Sequence, residues 1–170
     1  VIRDAIGYHD HNYYQVSAKH PLHLDQLIKK WYWGKCYVGD YTFIFMDTHF
    51  KSSRVCSFLA IENSKIIHSS NNLIDCEVTS YAHDQALKTS YPETLTVTSL
   101  DQELPLQLVF EMDTLLDNKD LLAEVNPVLR WLIKKLIARP AYYGVLANVT
   151  RIMEKERLEG IGNFESMVFR

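Results

Sequence analysis

The densest run of chemistry-bearing side chains is Tyr8-His9-Asp10-His11-Asn12-Tyr13. On an extended strand alternate residues share a face. His9, His11 and Tyr13 would then point one way and Tyr8, Asp10 and Asn12 the other, with the two imidazoles about 7 Å apart. Three roles suit such a cluster. A His-x-His pair can supply two metal ligands, but a site needs a third, and spacing does not choose between Asp47, His49 and Glu111. An imidazole or carboxyl lined by aromatic rings has its pKa moved by desolvation and can exchange a proton with a bound ligand, for which His11, Asp10 and Asp47 are the best candidates. The third role is structural: buried His, Asp and Asn bonding one another to fasten a first strand into a sheet. Consecutive polar positions are costly to bury, which keeps a chemical role in view.

Trp31-Tyr32-Trp33-Gly34 is a knot of rings whose default role is core packing and whose functional role would be a stacking wall for a flat or polyene ligand. The remaining histidines, His20, His23, His49, His68 and His83, are scattered and read as surface or loop residues. There is no phosphate-cradling glycine loop, serine nucleophile elbow or paired CxxC, so the usual machinery of hydride, acyl and phosphoryl transfer is not visible.

The elements that must position these residues are mostly strands, because period-2 alternation dominates. Strands are expected at Tyr8–Val16, Trp31–Val38, Asp40–His49, Arg54–Glu62, Lys65–Ser69, Leu73–Ala82, Thr94–Leu100, Leu104–Met112, Tyr142–Glu154 and Gly162–Phe169, with a hairpin turn at Gly39-Asp40. The stretch Tyr41–His49 is apolar on both faces and is expected to be covered on both. Residues 113–124 read as a polar connection with room for a helical turn. One helix is expected after Asn126, an N-cap, and Pro127, suited to the first helical position; its apolar face runs from Val128 to Ile137 and Pro140 ends it. Many short strands and one late helix predict an all-β, antiparallel up-and-down barrel with the helix outside it or across a mouth.

Composition bounds the rest. The 170 residues fit one domain, and ten Tyr, seven Phe and three Trp favour pleated, half-buried surfaces. A formal charge of −3 gives no electrostatic case for nucleic acid. The nearest basic cluster, Arg130, Lys134, Lys135 and Arg139, reads as the solvated face of the helix. Cys36, Cys56 and Cys76 lack pairing or zinc spacings, which favours a reducing, cytoplasmic setting. No apolar run is long enough to span a membrane. The abrupt start, Val1-Ile2-Arg3-Asp4, reads as a domain cut from a longer chain.

Gly7-Tyr8-His9-Asp10-His11-Asn12, then Trp31-Tyr32-Trp33-Gly34, then Gly39-Asp40-Tyr41-Thr42 together resemble the second lobe of the hydroxyneurosporene synthase-like (carotenoid 1,2-hydratase, AttH-like) proteins. The closing run from Glu159-Gly160 to Phe169 is similar as well. The resemblance implies a calycin (lipocalin-like) barrel over residues 1–170, paired with an N-terminal lobe of the same protein. It also implies kinship with fungal Diels–Alderases and hetero-Diels–Alderases of natural-product pathways. The family's catalytic His falls on His11 and its Asp on Asp47, while its Trp and Tyr positions hold Tyr13 and Phe45. The expected activity is a cofactor-free, metal-free cyclisation of a hydrophobic polyene or terpenoid, with or without loss of water, in an interlobe pocket. The alternatives are a carotenoid-type hydratase and a non-catalytic carrier of a hydrophobic small molecule. His11, Asp47 and Asp10 would be catalytic, and Tyr13, Asn12, His9, Trp33, Tyr41 and Phe45 would hold the substrate.

Overall fold

Alternating apolar residues along most of the chain give nine strands and one helix in the computed structural model, which describes residues 28–136 and 139–168. They are β1 (Ile28–Val38), β2 (Tyr41–Phe50), β3 (Arg54–Glu62), β4 (Lys65–Asn71), β5 (Ile74–Asp84), β6 (Thr89–Ser99), β7 (Gln107–Asp120), α1 (Pro127–Leu136), β8 (Ala141–Met153) and β9 (Glu156–Val168). All nine strands form one sheet in the order β4-β3-β2-β1-β9-β8-β7-β6-β5, every neighbouring pair described being antiparallel. This is the expected up-and-down barrel, and the expected cluster at residues 8–13 lies outside the described residues.

The turns follow from local chemistry. Gly39, at φ 59°, occupies the left-handed region at no Cβ cost and joins β1 to β2. Asn63 and Ser64 both take positive φ in the two-residue turn between β3 and β4, the backbone such tight hairpins require. The barrel is not strictly closed, since its edge strands β4 and β5 do not pair with each other. The seam is bridged where one passes into the other: the Asn72 N–H donates to Cys56 O (2.9 Å) and the Leu100 N–H donates to Leu73 O (2.8 Å).

Inside, Phe43, Phe45, Phe58, Phe110 and Phe164 are each at most 1% exposed. Phe110 contacts Phe45 with ring centroids 5.4 Å apart and meets Phe164 edge-on at 6.0 Å. Burying each ring contributes about 1.5–3 kcal/mol. Gly34 makes this packing fit: a Cβ there would stand 2.4 Å from Cε1 of Phe45.

Several expectations need correcting. Residues 113–120 are not a connection but the second half of β7. Their backbone pairs with β8 from Leu146 to Ala141, with irregularities at Met112/Thr114 and Leu115/Asp117, and ladder bonds to a long partner outweigh polar composition. β6 likewise starts at Thr89 and runs through Pro92, beside a register shift in its partner β5. The helix is capped as expected, the Val128 N–H donating to Asn126 Oδ1 at 3.0 Å. Part of its apolar face is open to solvent: Val128, Trp131 and Leu132 are exposed. Nor is its basic face simply solvated. Arg130 donates to the carbonyls of Ala123 and Val125, and Lys134 to Asp120 Oδ2 at 2.5 Å. No helix among the described residues is long and apolar enough to cross a membrane.

Candidate functional site

Registered partners draw a line around one end of the barrel. Cys56 on β3 opposes Asp47 on β2, Asp47 opposes Tyr32 on β1, Tyr32 opposes Ser166 on β9, and Ser166 opposes Tyr143 on β8. Asp47, Ser166 and Tyr143 are fully buried and Tyr32 is 6% exposed. Two residues deeper on the same strands the partners are Phe58, Phe45, Gly34, Phe164 and Val145. A polar belt therefore sits directly on an apolar floor near one mouth.

Asp47 anchors the belt. Arg54 Nε donates to Oδ1 (2.8 Å) and Nη2 to Oδ2 (3.0 Å), while His49 Nε2 lies 2.9 Å from Oδ2. A carboxylate taking two bonds from a guanidinium can only accept, so His49 carries its proton on Nε2 and presents Nδ1 as the basic nitrogen. Arg54 is fixed in turn by Ile74 O (2.9 Å) and Asp75 Oδ1 (3.3 Å), both on the strand that crosses the seam. The bonds to Asp47 raise the pKa of Arg54 further, outweighing the effect of burial.

The phenol of Tyr32 is pushed well above its ordinary value, by burial first and then by Tyr81, Cys76 and Asp47. It stays a hydrogen-bond donor at any physiological pH, and Lys30 Nζ stands 5.6 Å over its ring. Cys76 is likewise raised well above the ordinary thiol value by burial and then by the Asp47 charge. Ser166 Oγ is buried with no hydrogen-bond partner among the described residues. Such a group costs about 1–3 kcal/mol unless a ligand or water meets it.

Tyr143 links the belt to a second polar cluster. Its hydroxyl bonds Thr89 Oγ1 and lies 3.4 Å from Asp84 Oδ2. Asp84 also accepts from Ala86 N (2.8 Å), Leu87 N (3.0 Å) and Asn118 Nδ2 (2.7 Å). Burial opposes charge on Asp84, but these bonds prevail and hold its carboxyl below the usual range. With every oxygen taken, this cluster ties the β5–β6 turn to β7 and β8.

The opposite end is stoppered. Arg151, 3% exposed, reaches from β8 to lie 4.9 Å over the Tyr41 ring and donates to Glu156 Oε2 at 2.7 Å.

His9, Asp10, His11, Asn12 and Tyr13 lie outside the described residues. Of the other expected site residues, Asp47 is in the belt and Phe45 beneath it, fully in the core. Tyr41 is six residues from Asp47 along β2, about 20 Å away, at the stoppered end. Trp33 falls on the opposite face of β1 from Tyr32 and is buried there. The residues not expected are Tyr32, Arg54 and Ser166, and His49 entered only as one of three possible metal ligands. His49 is no loop residue: it lies on β2 two places from Asp47, and the Asp-x-His spacing was the available signal. Tyr32 was hidden in the aromatic knot, where alternation separates it from both tryptophans. Among the described residues no three His, Cys, Asp or Glu side chains group as metal ligands.

No family model matches the sequence, and no curated protein does. Solved structures do share the fold. Kievitone hydratase from Nectria haematococca is 9% identical over 84% of this chain and 40% of its own, with a TM-score of 0.57. CghA, solved with Sch210972, is 11% identical over 87% of this chain and 43% of its own, with a TM-score of 0.58. A putative AttH from Nitrosomonas europaea is 12% identical over 84% and 40%, with a TM-score of 0.56. At these identities the likeness is one of fold, and it is the calycin-type barrel that the sequence resemblance implied. The chain spans about two-fifths of each of these proteins.

Proposed function

We propose that the chain is one lobe of a cofactor-free cyclase or hydro-lyase acting on a hydrophobic polyene or terpenoid. The observation that carries this reading is the polar belt of Asp47, His49, Tyr32 and Ser166 standing on an apolar floor at one barrel mouth. Such an arrangement holds an apolar chain by burial while meeting one or two of its oxygens. Tyr32, kept protonated, would donate to a carbonyl or to a departing hydroxyl, and Ser166 would bond the same oxygen. His49, oriented by Asp47 and Arg54, would take a proton at Nδ1 when water is lost. Where no water is lost, folding the substrate into a near-attack shape could itself supply about 7–11 kcal/mol of the barrier lowering. The interlobe pocket would be completed by a second lobe, and His11 with Asp10 or Asn12 would add to it.

A non-catalytic carrier is less well supported, because phenylalanine rings fill the barrel interior where a lipocalin holds its ligand. Hydration, the reverse of water loss, would use the same groups, and one of the fold neighbours is named a hydratase. The test is to incubate the full-length protein with a panel of hydroxylated polyenes and follow products by mass and chirality. Single variants His49→Gln, Tyr32→Phe and Ser166→Ala should each slow turnover at least tenfold without altering the fold. Compounds returned intact would support the carrier, and turnover unchanged in all three variants would remove the belt from the mechanism.

A further inference from the structure

Beside the second polar cluster the structure holds a half-open cavity of about 180 Å3, between the β5–β6 turn, the end of β7, α1 and the start of β8. Three cations line it, Lys88, Lys134 and Arg139, against a single carboxylate, Asp120. Asp120 is committed, accepting from Lys134 Nζ and from the Leu122 N–H (3.0 Å). That leaves Lys134 held at the rim with donors to spare. Among the described residues no carboxylate is paired with Lys88 or Arg139. The rest of the wall is largely apolar, with Leu87 and Pro140.

We infer that this cavity binds a small organic carboxylate with a compact apolar body. The charge calls for an anion, and the planar fork of Arg139 matches a carboxylate in two-bond geometry. The size calls for more than a bare ion, since a cavity of about 150 Å3 already holds a benzene ring. Leu87 and Pro140 give such a body an apolar surface to lie on. Thr89 lines the cavity and shares a hydrogen bond with Tyr143, so an occupant would touch the network that ties this turn to the belt. The inference does not depend on what the belt catalyses.

Calorimetric titration of the full-length protein tests it, with benzoate, its neutral isostere benzamide, inorganic phosphate and sodium chloride at matched ionic strength. Benzoate should bind saturably and benzamide at least tenfold more weakly. Arg139→Gln and Lys88→Gln should each weaken benzoate about tenfold, and the double variant should abolish binding, while Lys65→Gln on β4 should change nothing. Absence of benzoate binding would overturn the proposal. So would equal binding of benzamide, phosphate binding without benzoate, reproduction of the signal by chloride, or an unaffected double variant. Circular dichroism of the variants guards against misfolding, and their turnover in the belt assay should match wild type, so failure of either site shows separately.

Discussion

Replacing Asp47 by Asn tests whether an ion pair organises the barrel mouth. The carboxylate is fully buried and takes three bonds, two from Arg54 and one from His49. Asn keeps one acceptor, and its amide N–H would face an arginine N–H. Removing one partner of a fully buried pair costs about 3–5 kcal/mol. The Arg54 side chain is 34% exposed, so water can meet part of the stranded charge. The expected loss is therefore about 2–3 kcal/mol. For a chain of 170 residues that lowers Tm by about 4–12 °C. Arg54→Met keeps the aliphatic stem but leaves the carboxylate alone, and should cost about as much. In the double variant the two penalties should not add, giving a coupling of about 2 kcal/mol. Urea unfolding followed by tryptophan fluorescence measures all four proteins. A coupling below about 0.5 kcal/mol, or Asp47→Asn melting with wild type, would refute the claim that this pair organises the site.

Gly34→Ala should destabilise by about 1–3 kcal/mol, because the new methyl meets the Phe45 ring, and Phe45→Leu in the same chain should recover most of it. Additive losses in thermal melts would show that the two do not touch. The thiols should be silent in the folded state. Cys36 is pushed up to about 12 by burial, Cys76 is raised by burial and Asp47, and all three cysteines are at most 5% exposed. An aromatic disulfide reagent at mildly alkaline pH should therefore label them only at the unfolding rate, and any burst of labelling would contradict the packing. Asp84 has a lowered pKa, so its bonds stabilise the fold above the ordinary carboxyl value of about 4 and that contribution is lost as pH falls below it. Asp84→Asn should flatten the acid limb of a Tm-against-pH curve, leaving the part that Asp120, also lowered, contributes. An unchanged acid limb would show that Asp84 carries no such linkage.

Alternation made most of the fold legible. β3 has the boundaries expected for it, and the Gly39-Asp40 turn and the Asn126-Pro127 cap are where the residue types put them. What failed was composition read without partners. The polar run 113–120 joins β7 because β8 is long enough to pair with it, and Arg130 and Lys134 are engaged because free carbonyls and Asp120 lie within their reach. Neither fact is local. The site was less legible for the same reason: Asp47 and Arg54 are seven residues apart but meet across a ladder, and Ser166 comes to Tyr32 from the far end of the chain.

The belt itself is a property of register, which explains why no single segment announces it. On β2 the inward series is Phe43, Phe45, Asp47, His49, and on β1 it is Val38, Cys36, Gly34, Tyr32. β9 contributes Phe164 then Ser166, and β8 contributes Val145 then Tyr143. On each of these strands the inward series passes from apolar to polar between these two positions, and the ladders bring the four changes to one level. A slip of one residue in any pairing would turn that strand's inward set outward and put its polar group on the outer face. At the far end β8 breaks the pattern with Arg151, whose guanidinium lies over Tyr41 and donates to Glu156 while its Nε has no partner among the described residues. The two ends thus differ in kind. One buries a cation against a ring and a carboxylate; the other gathers a protonated phenol, an imidazole bonded to a carboxylate and a hydroxyl with no hydrogen-bond partner among the described residues.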